Sequence, residues 1–259
     1  MFFFLIKKSF FDAWDNLAAL LLSNLSLFLI FMAGFWPLSA LWEKGISTGW
    51  PILVLLVPAL FTAGGTTSSL MSKIADYQRV SWSDIGAALK KTWKGSLLFA
   101  LLLTVFFPVT FFGMQYYAAL KSTLGLAAMA LLFWVTLGVW LTAVWFFPVR
   151  NRLGGKWSVL LKKSALIMLD NPGFSLFAGI IVLPLMMVLW LFTAFVAFGP
   201  AGFQLYMDGA LRLLMFKYDW METHQGARKK DVPWYELLFD ERERVGKRTL
   251  KGMIFPWKE

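Results

Sequence analysis

Two groups of polar residues stand inside long apolar stretches, and they are where chemistry would have to reside. The first is Asp208 with Arg212, four residues apart and so one turn apart on a common helical face. Gln204 lies one turn earlier on that face, with Tyr206 beside it. If the helix opens near Pro200, Asp208 sits about 12 Å along it at 1.5 Å per residue. A charge that deep in a bilayer is costly and turns toward a protein interior or a water path. Asp208 and Arg212 therefore read either as a polar site on a solute or proton path, or as a structural ion pair near the helix end. The second group is the run Thr62-Ala63-Gly64-Gly65-Thr66-Thr67-Ser68-Ser69. Thr62, Thr66 and Ser69 share one helical face, and Ala59, Ala63 and Thr67 share another at small-xxx-small spacing. Small residues let helix backbones approach and hydroxyls bond across the contact. An unwound, ligand-binding stretch is the competing reading.

Most familiar chemistries are absent. The chain has no cysteine and one histidine, His224. Thiolate metal sites, disulfides and cysteine nucleophiles are excluded, and a histidine metal site lacks its second ligand. There is no P-loop, no Gly-x-Ser-x-Gly and no His-Glu-x-x-His. No catalytic residue, cofactor or metal is expected, and the protein does not read as an enzyme.

The elements that must carry these residues follow from composition. Of 259 residues 59% are hydrophobic and 15% charged, against about 25% charged in soluble domains. Crossing about 30 Å of hydrocarbon takes about 20 apolar residues. Six segments meet that length: 17–42, 50–74, 96–119, 124–149, 174–198 and 200–218. The expected fold is an all-α integral membrane protein, a six-span helical bundle over residues 1–218, with a tail over 219–259.

Charge tests that division. Lys44 and Lys121 are the only bases in the connections after the first and third spans. The other 23 of the 25 Lys and Arg residues fall in the remaining connections and the two ends. By the positive-inside rule those 23 face the cytoplasm, together with both termini. The net charge of +10 then reflects attraction to an anionic membrane surface, and nucleic acid is not an expected partner.

The long basic connections each carry an expected amphipathic helix. Ser81-Trp82-Ser83-Asp84 has a capping-box pattern, with Ile85, Leu89 and Trp93 on one face beyond it. Trp157-Ser158 opens the second, which ends at Asn171-Pro172-Gly173. Both read Trp-Ser, a Lys-Lys pair, a Gly and an apolar helix, a spacing consistent with a parallel internal repeat. Phe3, Ile6, Phe10 and Trp14 mark either a further interfacial helix over 2–16 or an N-terminal extension of the first span. In the tail, Trp234, Leu237 and Leu238 form an apolar stripe between basic and acidic clusters. That stripe suits either a cytoplasmic partner protein or the membrane surface.

Several motifs resemble the YesL-like family of bacterial integral membrane proteins, whose defining domain has no assigned function. They are Phe10-Phe11-Asp12-Ala13-Trp14-Asp15-Asn16-Leu17, Val57-Pro58-Ala59 before the small-residue run, the lysine-rich helix before the third span, and Leu169-Asp170-Asn171-Pro172. The resemblance covers roughly residues 1–220 and is silent on the tail. It implies a bacterial inner-membrane protein, accessory to or permease-like in solute transport, with carbohydrate uptake and ABC-type transporter subunits as context. The alternative is a membrane scaffold that holds a cytoplasmic partner through its tail.

Overall fold

The computed structural model describes residues 2–45, 49–224, 226–246 and 248, and among these every regular element is helical. An N-terminal helix α1 (Phe2–Asp15) leads into α2 (Leu17–Glu43), α3 (Trp50–Ala75), α4 (Trp82–Ala119) and α5 (Thr123–Leu153). After α6 (Trp157–Asp170) come α7 (Pro172–Leu176), a π-helical turn over Phe177–Val182, and α8 (Leu183–Phe192). The last three run as one helix, Pro172–Phe192. Helix α9 (Gly199–Thr223) follows, and the tail adds α10 (Trp234–Leu237) and α11 (Phe239–Val245). Five helices are long and apolar enough to cross a membrane: α2, α3, α4, α5 and Pro172–Phe192. Helix α9 is not among them.

The stretch 2–16, expected as an interfacial helix, forms α1, in which Leu5, Lys8 and Phe11 are buried. The stretch expected as a separate helix before the third span is the first third of α4, which runs unbroken for 38 residues. Ser81 and Asp84 close its capping box as expected. Its counterpart α6 does break, at Asn171, where Pro172 brings no N–H. The two copies of the suspected repeat therefore differ in form.

Helix α9 is polar because its neighbours shield it. Its length packs against α1, α2, α3, α5 and α8. Gly199, Ala201, Gly202, Gly209 and Ala210 are buried along it. A helix enclosed this way need not be apolar to lipid, which is why its hydropathy falls below that of the other five.

The connection from α8 to α9 is compact and internally bonded. Residues 193–198 carry positive φ at Ala194, Phe195 and Phe198, followed by Gly199 at 57°. A Cβ on Gly199 would lie 2.6 Å from the Trp190 ring, so only glycine fits. Side chains satisfy the irregular backbone. Asn24 Nδ2 donates to the carbonyls of Val196 (3.1 Å) and Phe198 (2.7 Å), and Asn24 Oδ1 accepts from the Ala201 amide (3.0 Å). Trp190 Nε1 donates to the Phe195 carbonyl, and Thr193 Oγ1 accepts from the Ala197 amide. Asn24 is wholly buried. About 28 Å of α2 lies beyond the level of this turn, counting from Asn24 to Glu43 at 1.5 Å per residue.

Candidate functional site

The polar residues of α9 meet the ends of α3 and α5 in a continuous cluster. Asp208 is fully buried. Its carboxylate accepts from Ser68 Oγ (3.0 Å) and from Asn151 Nδ2 (3.3 Å), and Asn151 also donates to Ser68 Oγ (2.8 Å). Arg152 Nε donates to the Asp208 backbone carbonyl (3.1 Å). One turn away, Arg150 reaches across the bundle to the Gly65 carbonyl and Ser96 Oγ, both at 2.8 Å. A Cβ at position 65 would lie 2.0 Å from Ser96 Oγ. Gly65 is thus small so that α3, α4 and the Arg150 guanidinium can converge.

Arg212 does not pair with Asp208, although one helical face carries both. Its guanidinium goes to Asp76 at the end of α3 and to Glu241 in the tail, with Nη2–Oε1 at 2.7 Å. Arg152 shares Asp76 at 2.9 Å. Glu241 also accepts from the Tyr77 hydroxyl (2.6 Å) and stands 3.8 Å from Lys8 Nζ. Lys8 is wholly buried, donates to Asp12 and to the Ala75 carbonyl, and lies 4.0 Å from the centre of the Tyr77 ring. Burial is the larger influence on Asp12 and pushes its carboxyl up to about 6, against the pull of Lys8. Burial and the hydrogen bond to Glu241 likewise raise the Tyr77 hydroxyl. Lys8, Arg152 and Arg212 thus face Asp12, Asp76 and Glu241, while Arg150 and the Asp208 carboxylate are hydrogen-bonded to neutral groups.

The tail stripe is spent on the chain's own body. Leu238 is fully buried and joins the core of Leu5, Leu211 and Leu214, with Trp234 packed against that core. Leu237 is half-buried at the end of α10. A second ionic knot closes the base of α6. Burial opposes ionisation of Asp170, but hydrogen bonds from Lys217, Lys229 and Tyr218 outweigh it and hold the carboxyl at about 2. The segment Ile254-Phe255-Pro256-Trp257 lies outside the described residues. His224 is exposed and stacks on Trp220. Among the described residues no group of His, Asp and Glu is placed to hold a metal ion.

Two cavities lie away from the cluster. The larger, about 860 Å³, is an apolar wedge between α2, α3 and the first part of α4, and Thr62 and Thr66 line it. Thr66 Oγ1 is occupied with the Thr62 carbonyl and lies 3.4 Å from Thr92 Oγ1. The smaller, about 290 Å³, is lined by Gln204 and Pro200 below the α8–α9 turn. Asp208 lines neither.

Of the residues singled out by spacing, Asp208, Arg212, Gln204, Thr62 and Thr66 thus fall in three separate places. Sequence reasoning missed Arg150, Asn151, Arg152, Lys8 and Glu241 because each reads as a loop or surface polar residue. It missed Asn24 because a lone asparagine in a 27-residue apolar helix carries no spacing signal; its isolation was the only cue. No protein-family model, curated protein or solved structure matches the chain. None of these comparisons bears on the resemblance to YesL-like proteins.

Proposed function

We propose that this chain is a non-conducting accessory protein of the bacterial inner membrane. It scaffolds solute-transport machinery, in the setting of carbohydrate uptake by ABC-type transporters that the YesL-like resemblance implies. One observation carries the reading: Asp208 is wholly buried, hydrogen-bonded to Ser68 and Asn151, and outside both cavities. A permease would need its intramembrane charge to meet water or solute. Here the charges tie α3, α5 and α9 to α1 and the tail instead.

The topology belongs to the same proposal. Helices α2 to α5 cross the membrane fully, and both termini face the cytoplasm. In place of fifth and sixth complete crossings, α8 and α9 form a hairpin whose tip stops within the bilayer. Two facts support this: the turn is level with Asn24, and its backbone is bonded by side chains, as non-helical backbone at membrane depth requires. The even count that puts both basic ends on one side is kept.

The chain has no cysteine, so single cysteines report accessibility cleanly. Ser122→Cys is expected to react with a membrane-impermeant maleimide from outside the cell, and Ala194→Cys to stay unreactive; labelling of both would restore six crossings. For function, gentle purification from the native host followed by mass spectrometry should recover transporter subunits. Recovery of the bare protein, together with solute flux in liposomes that Asp208→Asn abolishes, would replace the scaffold with a permease.

A further inference from the structure

The wedge between α2, α3 and α4 is one leaflet deep. Its walls run from Ala18 to Ile30 on α2 and from Pro58 to Leu70 on α3. Each wall covers twelve steps, about 18 Å, close to the roughly 15 Å of one leaflet's hydrocarbon. Beyond that the two helices close together. A Cβ at Gly34 would lie 2.7 Å from Leu56, so α2 and α3 are in backbone-to-side-chain contact there. The wedge is therefore blind at mid-bilayer and reaches the other way to Val80, Ser81 and Trp82 at the start of α4.

That shape discriminates among occupants. A partner's transmembrane helix continues through both leaflets and would meet the Gly34–Leu56 contact. A hydrocarbon chain entering from the cytoplasmic leaflet ends where the wedge ends. The lining suits such a chain: Ala19, Leu22, Ala59, Ala63, Ile85 and Trp93 are among the residues that line it, and its surface is mostly apolar. The hydroxyls nearby are turned to their own helices, with Ser26 bonded to the Ser23 carbonyl and Thr66 to that of Thr62.

A base stands at the mouth. Arg79 is exposed immediately before Val80, and Lys90 and Lys91 are exposed farther along α4. None of the three has an ion pair among the described residues. Asp84, three residues past Ser81, is held by Lys73 at 2.7 Å and by the Ser81 amide. Trp82 is 77% exposed at the same level, as an interfacial indole would be.

We infer that this wedge is a binding site for an anionic lipid of the cytoplasmic leaflet, with its hydrocarbon chain between α2 and α4 and its phosphate over Arg79. The inference rests on the topology proposed above, and not on any partner protein. It makes the first half of α4 a lipid-reading element, and Thr62 and Thr66 part of a site wall.

The test uses the full-length protein alone, so its outcome is independent of co-purification. Delipidated protein is titrated with phosphatidylglycerol or phosphatidylcholine in detergent and read by native mass spectrometry. The expected result is one retained phosphatidylglycerol per chain. Filling the wedge with Ala59→Leu and Ala63→Leu should remove it. Because the filled variant could misfold, Arg79→Glu gives a second reading on the surface. It should cut the preference for phosphatidylglycerol over phosphatidylcholine by roughly fivefold or more, the scale of one basic residue at an anionic surface. Equal retention of both lipids by the native chain, undiminished retention by a folded filled variant, or a dimer that displaces lipid would each overturn the inference.

Discussion

The polar cluster and the apolar wedge lie side by side along α3, yet they are built on opposite terms. On the side of α3 facing α5 and α9, Gly65, Ser68 and Asp76 meet Arg150, Asn151, Arg152, Asp208 and Arg212, and each charged side chain is ion-paired or hydrogen-bonded. On the side facing α2, Ala59, Thr62 and Ala63 meet no protein side chain that fills the space. The same small residues thus serve close packing on one face and an opening on the other. Buried ions are costly enough that the cluster must be complete to exist at all. An apolar opening costs nothing of that kind where hydrocarbon can fill it. Closure therefore marks the part that holds the fold, and openness the part that meets something else.

Breaking the closed side should have the largest effect. Glu241→Ala leaves Arg212, Lys8 and Tyr77 facing an empty site and is expected to cost about 3–5 kcal/mol, the scale of a broken buried pair. Thermal unfolding in detergent measures this, and limited proteolysis should find the tail newly cleavable. An unchanged melting temperature would mean that the tail merely rests on the bundle. Asn24→Leu orphans the Val196 carbonyl and the Ala201 amide in the α8–α9 turn and leaves the Phe198 carbonyl with only the Gly202 amide. At about 1–3 kcal/mol for a buried unpaired group, the variant should lose on the order of 3 kcal/mol. If the hairpin tip instead stood in water, those groups would rehydrate and little would change.

Acid should act in two opposed steps. The Asp12 carboxyl binds its proton more tightly in the folded chain than in the unfolded one. As pH falls through about 6 the cost of that buried charge is relieved, so stability should rise down to about 4. Asp170 is held at about 2, below its unfolded value near 3.8, so its contribution is full above that value and is lost as pH falls from about 4 toward 2. Melting curves across pH should show both limbs. Asp12→Asn should flatten the upper one and Asp170→Asn the lower one, and a monotonic profile in the native chain would contradict the assignment. The smallest effect belongs to the open side. The pair Ala59→Leu and Ala63→Leu adds apolar bulk to unfilled space and should shift stability by less than about 1 kcal/mol. A larger loss would show that the wedge is packed in solution.

Much of the architecture was legible before any fold was known. Apolar runs of membrane length located α2, α3, α4, α5 and Pro172–Phe192, because the hydrophobic signal there is local and long. Ser81 and Asp84 announced the start of α4, since a capping box needs only near neighbours. The site was less legible. Asp208 was found as an isolated charge in an apolar segment, but the helical spacing that suggested Arg212 as its partner named only one candidate among several. Arg212 turned to Asp76 and Glu241, 136 and 29 residues away, because they lie where its longer side chain ends.

What the sequence determined by itself was a basic, cysteine-free membrane protein with helices of membrane length and charge gathered at one end. Those properties are sums and periods along the chain. Only the tertiary structure decided which charges neutralise each other, that Asn24 binds the α8–α9 turn, that Glu241 closes the bundle's base, and that α2 and α3 part below Gly34. Each of these depends on atoms brought together from distant positions, and no local pattern encodes that distance.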